Sequence, residues 1–160
     1  MLLILLRHGK AEDTSPGGDF SRNLVDRGRE QSRRAAKLLK GAGLLPDIVL
    51  TSPLVRTRQT AEEFCQTAEI PGALIQSWLA CGMSPETAMT ELSAFRDFKR
   101  VALVGHEPDL SQFVEWILGS TGGGVEFKKG ALACLQISPP SQYGTLNFLI
   151  PPKLVDESAF

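Results

Sequence analysis

The sequence predicts an α/β fold: a three-layer sandwich in which helices flank a central, mostly parallel sheet. Two observations support this prediction. Short apolar runs alternate with amphipathic stretches along the chain, an order typical of α/β proteins. Some of these runs have almost no polar alternation, as expected for strands that are covered on both faces. With 160 residues, the chain is long enough for one domain with its own core.

Five apolar runs are the predicted strands. They are Leu2–Leu6, Ile48–Leu50, Val101–Val104, Ala131–Ile137 and Thr145–Ile150. The first and the third have the least polar alternation, so we expect them to be the buried central strands.

Asp26 is expected to cap the first helix, which runs through Leu39. Gly41 and Gly43 follow, then Pro46, and this order is typical of a helix end.

Three further helices are predicted from Ser-Pro pairs and from apolar spacing. The second begins at Ser52–Pro53 and runs through Phe64, the third runs from Ser84–Pro85 to about Phe95, and the fourth runs from after Pro108 to Leu118.

The remaining segments are predicted to be loops or a tail. Glu12–Asp19 and Gly119–Gly124 are rich in glycine and small polar residues, which favours loops. We expect residues 1–150 to form the domain and 151–160 to form an extended C-terminal tail.

The charge balance excludes some classes of partner. The net charge is −1, which gives no basis for a broad nucleic-acid-binding or membrane-binding surface. Any anion site must therefore be a local cluster of arginines. Lys128 and Lys129 are either a small basic contact for a phosphoprotein or a solvated turn, and the solvated turn is favoured.

Cysteine content and the N-terminus both favour a cytoplasmic protein. Cys65, Cys81 and Cys134 are widely spaced and odd in number, so we expect free buried thiols and neither a disulfide framework nor a metal site. The apolar start, Met1–Leu6, is too short for a signal peptide or a membrane span.

The two histidines of the chain each follow a predicted buried strand. His8 comes after Leu2–Leu6, and His106 comes after Val101–Val104. Ligands of open α/β sheets bind beyond the carboxyl ends of the strands. If these two strands are parallel, both imidazoles lie at that edge of the sheet.

Two arginines are expected at the same edge. Arg7 directly precedes His8, and Arg56 lies in the first turn of the second helix, whose side chains lean back toward its start. Guanidinium groups match phosphoryl oxygens, and a neutral imidazole can attack phosphorus. The arginines would lower the histidine pKa and keep it neutral, and Gly9 would leave room for a ligand near the backbone. These residues predict a phosphate pocket.

The same residues carry a family resemblance. Arg7-His8-Gly9 resembles the RHG signature of the histidine phosphatase (phosphoglycerate mutase-like) superfamily. The segment 52–61, SPLVRTRQTA, is similar to its S-P-x-x-R-x-x-Q-T-A block, and residues 104–107, VGHE, are similar to its G-H-E block. Three such blocks in order over about a hundred residues are a specific match, whereas RHG alone is a weak one.

Within that superfamily the short chain resembles the SixA-like phosphohistidine phosphatases, which lack the large cap insertion of the mutases. Arg22-Asn23-Leu24 with Gly28, and Lys129-Gly130-Ala131, are similar to further segments of that branch. The resemblance implies a phosphoglycerate mutase-like fold. It also implies a phosphatase without metal or cofactor that acts on a phosphohistidine-bearing protein.

The resemblance also implies roles for individual residues. His8 would be the transiently phosphorylated nucleophile. Arg7, Arg56 and His106 would bind the phosphoryl group and stabilise its charge during transfer, and Arg22 would add a further donor.

The sequence departs from the family pattern at three places. Lys10 stands where the branch often has an acidic or small residue, and Asn23 replaces a common proline, which should loosen that turn. The region of the larger relatives' proton donor is short here, about 68–83, and offers only Glu69, which we expect at the surface. The proton donor is thus unassigned among Glu12, Asp13, Asp19 and Glu107.

Other functions fit the same pocket. The first alternative is a small-molecule phosphomonoesterase of the same superfamily, and the second is a non-catalytic module that binds phosphoproteins. A mutase is disfavoured, because it needs a closed pocket. The sequence does not indicate the oligomeric state.

Overall fold

In a computed structural model of the chain, residues 1–120 and 122–155 are described. The strands are β1 (Leu2–Arg7), β2 (Ile48–Thr51), β3 (Leu74–Ile75), β4 (Arg100–Gly105), β5 (Leu132–Ile137) and β6 (Gly144–Ile150). The helices are α1 (Asp26–Gly41), α2 (Val55–Ala68), α3 (Pro85–Leu92) and α4 (Asp109–Ile117). Short 3-10 turns lie at Asp19–Ser21, Ser77–Leu79, Ser93–Phe95 and Pro152–Leu154.

One sheet contains all of these strands, in the order β3-β2-β4-β1-β5-β6. The pairings β1–β4, β2–β4 and β2–β3 are parallel, whereas β5 pairs antiparallel with both β1 and β6. The mostly parallel sheet predicted from the sequence is confirmed. Its carboxyl edge therefore gathers the ends of β1, β2 and β4.

The alternation of β1 divides the core into two layers. Ile4 and Leu6 pack with buried residues of α1 and α2, while Leu3 and Leu5 pack with buried residues of α3 and α4. Successive side chains of a strand point to opposite faces, so an apolar run is buried on both. This arrangement confirms the predicted three-layer sandwich.

Two predicted helix caps are wrong. Val25, and not Asp26, is the residue that precedes α1, and Asp26 is its first helical residue. The second helix begins at Val55 after Leu54, so Ser52–Pro53 lies outside it. Neither helix has a side-chain cap. By contrast, Ser84 caps α3 as expected, since its Oγ accepts a hydrogen bond from the backbone N–H of Thr87.

The described part of the predicted tail, residues 151–155, is not fully extended. Residues 152–154 form a 3-10 turn that contacts α1, and Val155 is buried. In the described part of Gly119–Gly124 the expected loop is present, and the Glu115 carboxylate accepts hydrogen bonds from the backbone N–H groups of Gly124 and Val125. Thr121 and residues 156–160 lie outside the described residues.

The cysteines are free, as predicted, but they are not all buried. Cys65 and Cys134 are buried, whereas Cys81 is exposed because it follows a short 3-10 turn at the carboxyl edge of the sheet. Within residues 1–120 and 122–155, none of the helices has the length and apolar character needed to cross a bilayer.

Candidate active site

The two histidines lie side by side where β1 and β4 end. Arg7, the last residue of β1, is in register with Gly105, the last residue of β4. His8 N–H then donates to the Gly105 carbonyl at 3.1 Å, and the rings of His8 and His106 have centroids 5.5 Å apart. Both side chains are buried. The two strands are parallel, so both imidazoles lie at one edge of the sheet.

The protonation of His8 is defined by one hydrogen bond. Its Nδ1 lies 2.8 Å from the Gly9 carbonyl oxygen, which can only accept, so Nδ1 carries the proton and Nε2 keeps its lone pair. Burial lowers the pKa of His8 to about 3, and the charges of His106, Arg56 and Arg7 act in the same direction. His8 is therefore a neutral imidazole with a free Nε2 at neutral pH.

His106 is held in the same Nδ1–H tautomer, but by a contact on its other nitrogen, Nε2, with Ser52. The Ser52 Oγ accepts from the backbone N–H of Leu54 at 3.4 Å, so its own proton is available for His106 Nε2 at 2.7 Å. Nδ1 of His106 then carries the ring proton and is a donor. Burial, followed by the charge of Arg56, lowers the pKa of His106 to about 4. Sequence reasoning missed this role of Ser52, which is 54 residues away from its partner.

Arg56 is a buried guanidinium at the start of α2, as the leaning of helical side chains predicts. It donates from Nη1 to the Asp19 carbonyl oxygen at 2.9 Å and from Nη2 to the Asp19 carboxylate at 3.2 Å. A carboxylate of the protein thus lies against this predicted phosphate-binding arginine.

Arg22 reaches the same carboxylate. Its Nε and Nη2 lie 2.9 and 2.8 Å from Asp19 Oδ1, and its Nη1 donates to the Glu12 carbonyl at 2.8 Å. Although desolvation acts to raise it, Arg56 and Arg22 together hold the pKa of Asp19 below its usual value. The positive charge of Arg22 also contributes to lowering the pKa of His106. Asp19 therefore connects two of the predicted phosphate ligands.

Arg7 is fixed by the segment that precedes β5. Its Nη1 donates to the Phe127 carbonyl at 2.8 Å. Burial lowers the pKa of Arg7, an effect that the Glu107 carboxylate opposes.

Three buried side-chain nitrogens have no partner among the described residues, and all belong to the candidate site: Arg7 Nε, Arg56 Nε and His106 Nδ1. Unpaired buried donors on three separate elements suit an anion that accepts several hydrogen bonds.

Gly9 has a different role from the one expected. A Cβ at Gly9 would lie 2.3 Å from the carbonyl oxygen of Gly28 in α1, so the space it leaves is filled by that helix and not by a ligand. Its N–H donates to Thr60 Oγ1 at 3.1 Å, and its carbonyl accepts from His8. Gly9 thus brings α1 against His8 and fixes its imidazole.

Thr60 is a positioning residue that sequence reasoning did not identify. Its hydroxyl accepts from Gly9 and donates to the Arg56 carbonyl at 2.7 Å. One hydrogen-bond chain therefore joins the backbone beside His8 to the helix that carries Arg56. The only sequence signal for it was its place in the SPLVRTRQTA block.

The candidate proton donors lie in different surroundings. Glu107 accepts from the Ser111 N–H at 2.9 Å in the first turn of α4, and burial raises its pKa. Glu12 accepts from the backbone N–H of Asn23 at 2.9 Å and so holds a loop. Asp13 is exposed on the first loop and has no hydrogen bond or ion pair with another described residue. Glu69 is exposed and pairs with Lys40, which confirms its place at the surface.

The expectation that Asn23 loosens its turn is wrong. Its N–H donates to the Glu12 carboxylate, which proline could not do, and its side-chain oxygen accepts from Gln59 Nε2 at 2.8 Å. Gln59 also accepts from the Leu24 N–H at 2.7 Å. The turn that leads from Arg22 into α1 is therefore tied to α2.

The described residues do not form an evident metal centre. Within residues 1–120 and 122–155, no three side chains of histidine, cysteine, aspartate or glutamate are close enough together to hold a metal ion. The chemistry available at this edge is that of imidazoles, guanidinium groups and carboxylates.

Comparison with known sequences agrees with these motifs. Residues 3–78 match the sequence model of the histidine phosphatase superfamily (branch 1). An uncharacterised protein of Picosynechococcus is 31% identical over 144 residues, which cover 85% of each chain. A 2,3-bisphosphoglycerate-dependent phosphoglycerate mutase of Streptomyces griseus is 40% identical over 82 residues, which cover 48% of this chain but only 32% of the mutase.

Solved structures extend the match to nearly the whole chain. The protein histidine phosphatase SixA, solved with tungstate, is 26% identical and superposes with a TM-score of 0.87 over 98% of this chain and 100% of that one. The alpha-ribazole phosphatase of Shigella flexneri shares the fold, with a TM-score of 0.76 at 19% identity over 95% and 97% of the two chains. From the motifs, the fold and these matches, the chain belongs to the histidine phosphatase superfamily, and its enzyme class is that of a phosphatase.

Proposed function

We propose that the chain is a phosphohistidine phosphatase that removes a phosphoryl group from a phosphoprotein through a covalent intermediate on His8. The observation that carries the proposal is the His8 tautomer. Its proton is held on Nδ1 by the Gly9 carbonyl, so the neutral Nε2 has a lone pair at the edge where buried donors lack partners. Such an imidazole is a nucleophile for phosphorus.

In the first step, Nε2 of His8 attacks the phosphorus atom of the substrate. The P–Nε2 bond forms while the P–N bond of the substrate breaks, and the electron pair of that bond leaves with the substrate imidazole. Arg7, Arg56 and the Nδ1–H of His106 stabilise the charge on the phosphoryl oxygens, which is the main requirement of phosphoryl transfer. Asp19 gives up its contact with Arg56 as the phosphoryl group binds.

In the second step, water attacks the phosphorylated His8. The new P–O bond forms, the P–Nε2 bond breaks, and its electron pair returns to Nε2, while the proton of the water passes to a phosphoryl oxygen. The Nδ1 proton held by Gly9 keeps the leaving imidazole neutral as it departs. The products are inorganic phosphate and His8 in its starting state.

A phosphohistidine substrate reduces the need for a general acid. If the substrate ring carries a proton on its other nitrogen, it departs as neutral imidazole. Glu107→Gln should therefore retain turnover of phosphohistidine, because its carboxyl group acts at the start of α4. Loss of turnover in this variant, with vanadate binding intact, would contradict this part of the proposal and identify Glu107 as the acid.

The connections around the site favour a substrate on another protein. Between α2 and α3 the chain has only residues 69–84, which form the two-residue β3 and a 3-10 turn. No additional helical layer is built from this connection. A pocket without such a layer can accept a side chain that protrudes from a partner protein.

The test is the release of phosphate from a histidine-phosphorylated protein, a phosphoserine peptide and an aryl phosphate. We expect metal-independent release from phosphohistidine that is lost in His8→Ala. Release from the small ester alone would assign the same mechanism to a metabolite. Binding of vanadate without release from any substrate would identify a non-catalytic binding module.

A further inference from the structure

A second concave surface adjoins the candidate active site. This groove has a volume of about 770 Å³, and Arg7 and Glu107 form the wall that it shares with the site. Its remaining lining comes from α1, from the segment before β5 and from the end of the described chain. The remaining lining residues are Lys10, Arg27, Gln31, Val125, Glu126, Phe127, Lys128, Lys129, Pro151, Pro152, Lys153 and Leu154.

The groove is strongly cationic although the chain as a whole is not. Its lining holds six basic residues and two acidic ones, whereas the chain has a net charge of −1. Lys10, Arg27, Lys129 and Lys153 are exposed, and none has an ion pair with another described residue. Their charges are therefore available to a partner.

The groove is held in a fixed position relative to the nucleophile. The Gly130 N–H donates to the carbonyl oxygens of Arg7 and His8 at 3.2 and 3.1 Å, which fixes Lys128 and Lys129 beside the end of β1. Lys10 is two residues from His8, and its N–H donates to Gln31 of α1 at 2.9 Å. A chain lying in the groove thus leads to the phosphate pocket.

Apolar surface accompanies the charges. Val125 and Pro152 line the groove partly buried, and Leu154, also in the lining, is 75% exposed. A peptide segment that combines acidic and apolar side chains would match this surface, since cations at the rim steer anions and apolar contacts add affinity.

We propose that this groove docks an acidic segment of the phosphoprotein whose phosphohistidine enters the pocket. The inference rests on the proposed function and adds the surface by which the enzyme recognises its substrate. It also gives Lys10 a role. Lys10, which departs from the family pattern, supplies one of the exposed positive charges of the groove.

The test uses two synthetic peptides with one phosphohistidine each, flanked on both sides by glutamates in one and by glutamines in the other. At low ionic strength we expect the wild type to have about five- to tenfold higher kcat/KM for the glutamate peptide, a size typical of a few exposed ion pairs. The ratio should fall to about one in Lys129→Glu/Lys153→Glu and in 0.5 M salt.

The matched control is a double variant that changes the charge by the same amount at a place away from the groove. Arg96 and Lys99 are exposed at the opposite edge of the sheet, before β4 begins, so Arg96→Glu/Lys99→Glu should keep the preference for glutamate. Both double variants should hydrolyse the glutamine peptide at the wild-type rate, which shows that they are folded and active.

Two results would overturn the docking proposal. The wild type could hydrolyse both peptides equally, or the two double variants could lose the preference alike. A wild type that hydrolyses neither peptide but cleaves an aryl phosphate contradicts the proposed function, and the docking proposal fails with it.

Discussion

At the scale of single residues, the two imidazoles are prepared for different tasks by what holds their other nitrogen. The Gly9 carbonyl accepts a hydrogen bond from Nδ1–H of His8, which leaves Nε2 with its lone pair. Ser52 donates to Nε2 of His106, which leaves Nδ1–H as a donor. In the proposed function, the same residue type thus serves as nucleophile and as phosphate ligand.

Ser52→Ala should lower kcat/KM roughly tenfold, because a buried nitrogen of His106 loses its partner and the ring can adopt the wrong tautomer. Steady-state kinetics on phosphohistidine would measure the loss. The control is Ser141→Ala, in an exposed loop, which should have no effect. Unchanged kinetics in Ser52→Ala would contradict the assigned tautomer of His106.

The histidines also make the stability depend on pH. Their folded pKa values, about 3 for His8 and about 4 for His106, lie below the ordinary value of 6.5. Between about pH 6.5 and pH 4 the unfolded chain therefore binds more protons, so the free energy of unfolding falls as the pH is lowered.

Replacing His8 by asparagine, which does not titrate, should remove about 1 to 2 kcal/mol of the stability difference between pH 7 and pH 5. Urea denaturation of wild type and His8→Asn at both pH values measures this. An equal loss of stability in the two proteins would show that His8 is not held neutral.

In the proposed function, Asp19 competes with the phosphoryl group for Arg56. Asp19→Asn should tighten the inhibition by vanadate by up to about fivefold, because it removes a partly exposed carboxylate from the guanidinium. Asp97→Asn, exposed at the opposite edge of the sheet, is the control. Weaker inhibition in Asp19→Asn would instead indicate that Asp19 positions Arg56 for the ligand.

At the scale of the elements, the approach of α1 to the end of β1 depends on two glycines. A Cβ at Gly9 would lie 2.3 Å from the Gly28 carbonyl oxygen, and one at Gly28 would lie 2.1 Å from the Lys10 carbonyl oxygen. These contacts are with backbone atoms, so a side chain at either position would displace the helix.

Gly28→Ala should therefore cost about 1 to 3 kcal/mol of unfolding free energy and lower activity, since the backbone beside His8 must move. The control is Gly72→Ala, where a Cβ would meet nothing within 4 Å, and where we expect a change of less than about 0.5 kcal/mol. Thermal and urea denaturation measure both. If Gly28→Ala had the same free energy of unfolding as the wild type, α1 could move away from the end of β1 without loss of stability, which would contradict this prediction.

The elements also show what the sequence could not predict. All five predicted strands are present with ends that differ by one residue at most, because apolar runs are unambiguous in a covered sheet. The missed strand β3 has only two residues, and both are exposed at the edge. The caps predicted for α1 and α2 were wrong because neither helix uses a side-chain cap.

At the scale of the whole molecule, the location of the site could be predicted but its internal contacts could not. Parallel strands bring their carboxyl ends to one edge, so residues that follow β1 and β4 had to meet there. The bonds from Ser52 to His106 and from Asp19 to Arg56 join residues far apart in sequence. Their geometry depends on side-chain packing, which no local pattern encodes.

The central claim is that His8 carries the phosphoryl group during turnover, and the most direct test is to trap it there. A histidine-phosphorylated protein labelled with ³²P would be mixed with the enzyme and quenched within milliseconds in base, where a phosphoramidate survives. Mass spectrometry should then locate the label on His8, with none in His8→Asn and none on His106. Label on another residue, or phosphate release at a wild-type rate from His8→Asn, would contradict the account.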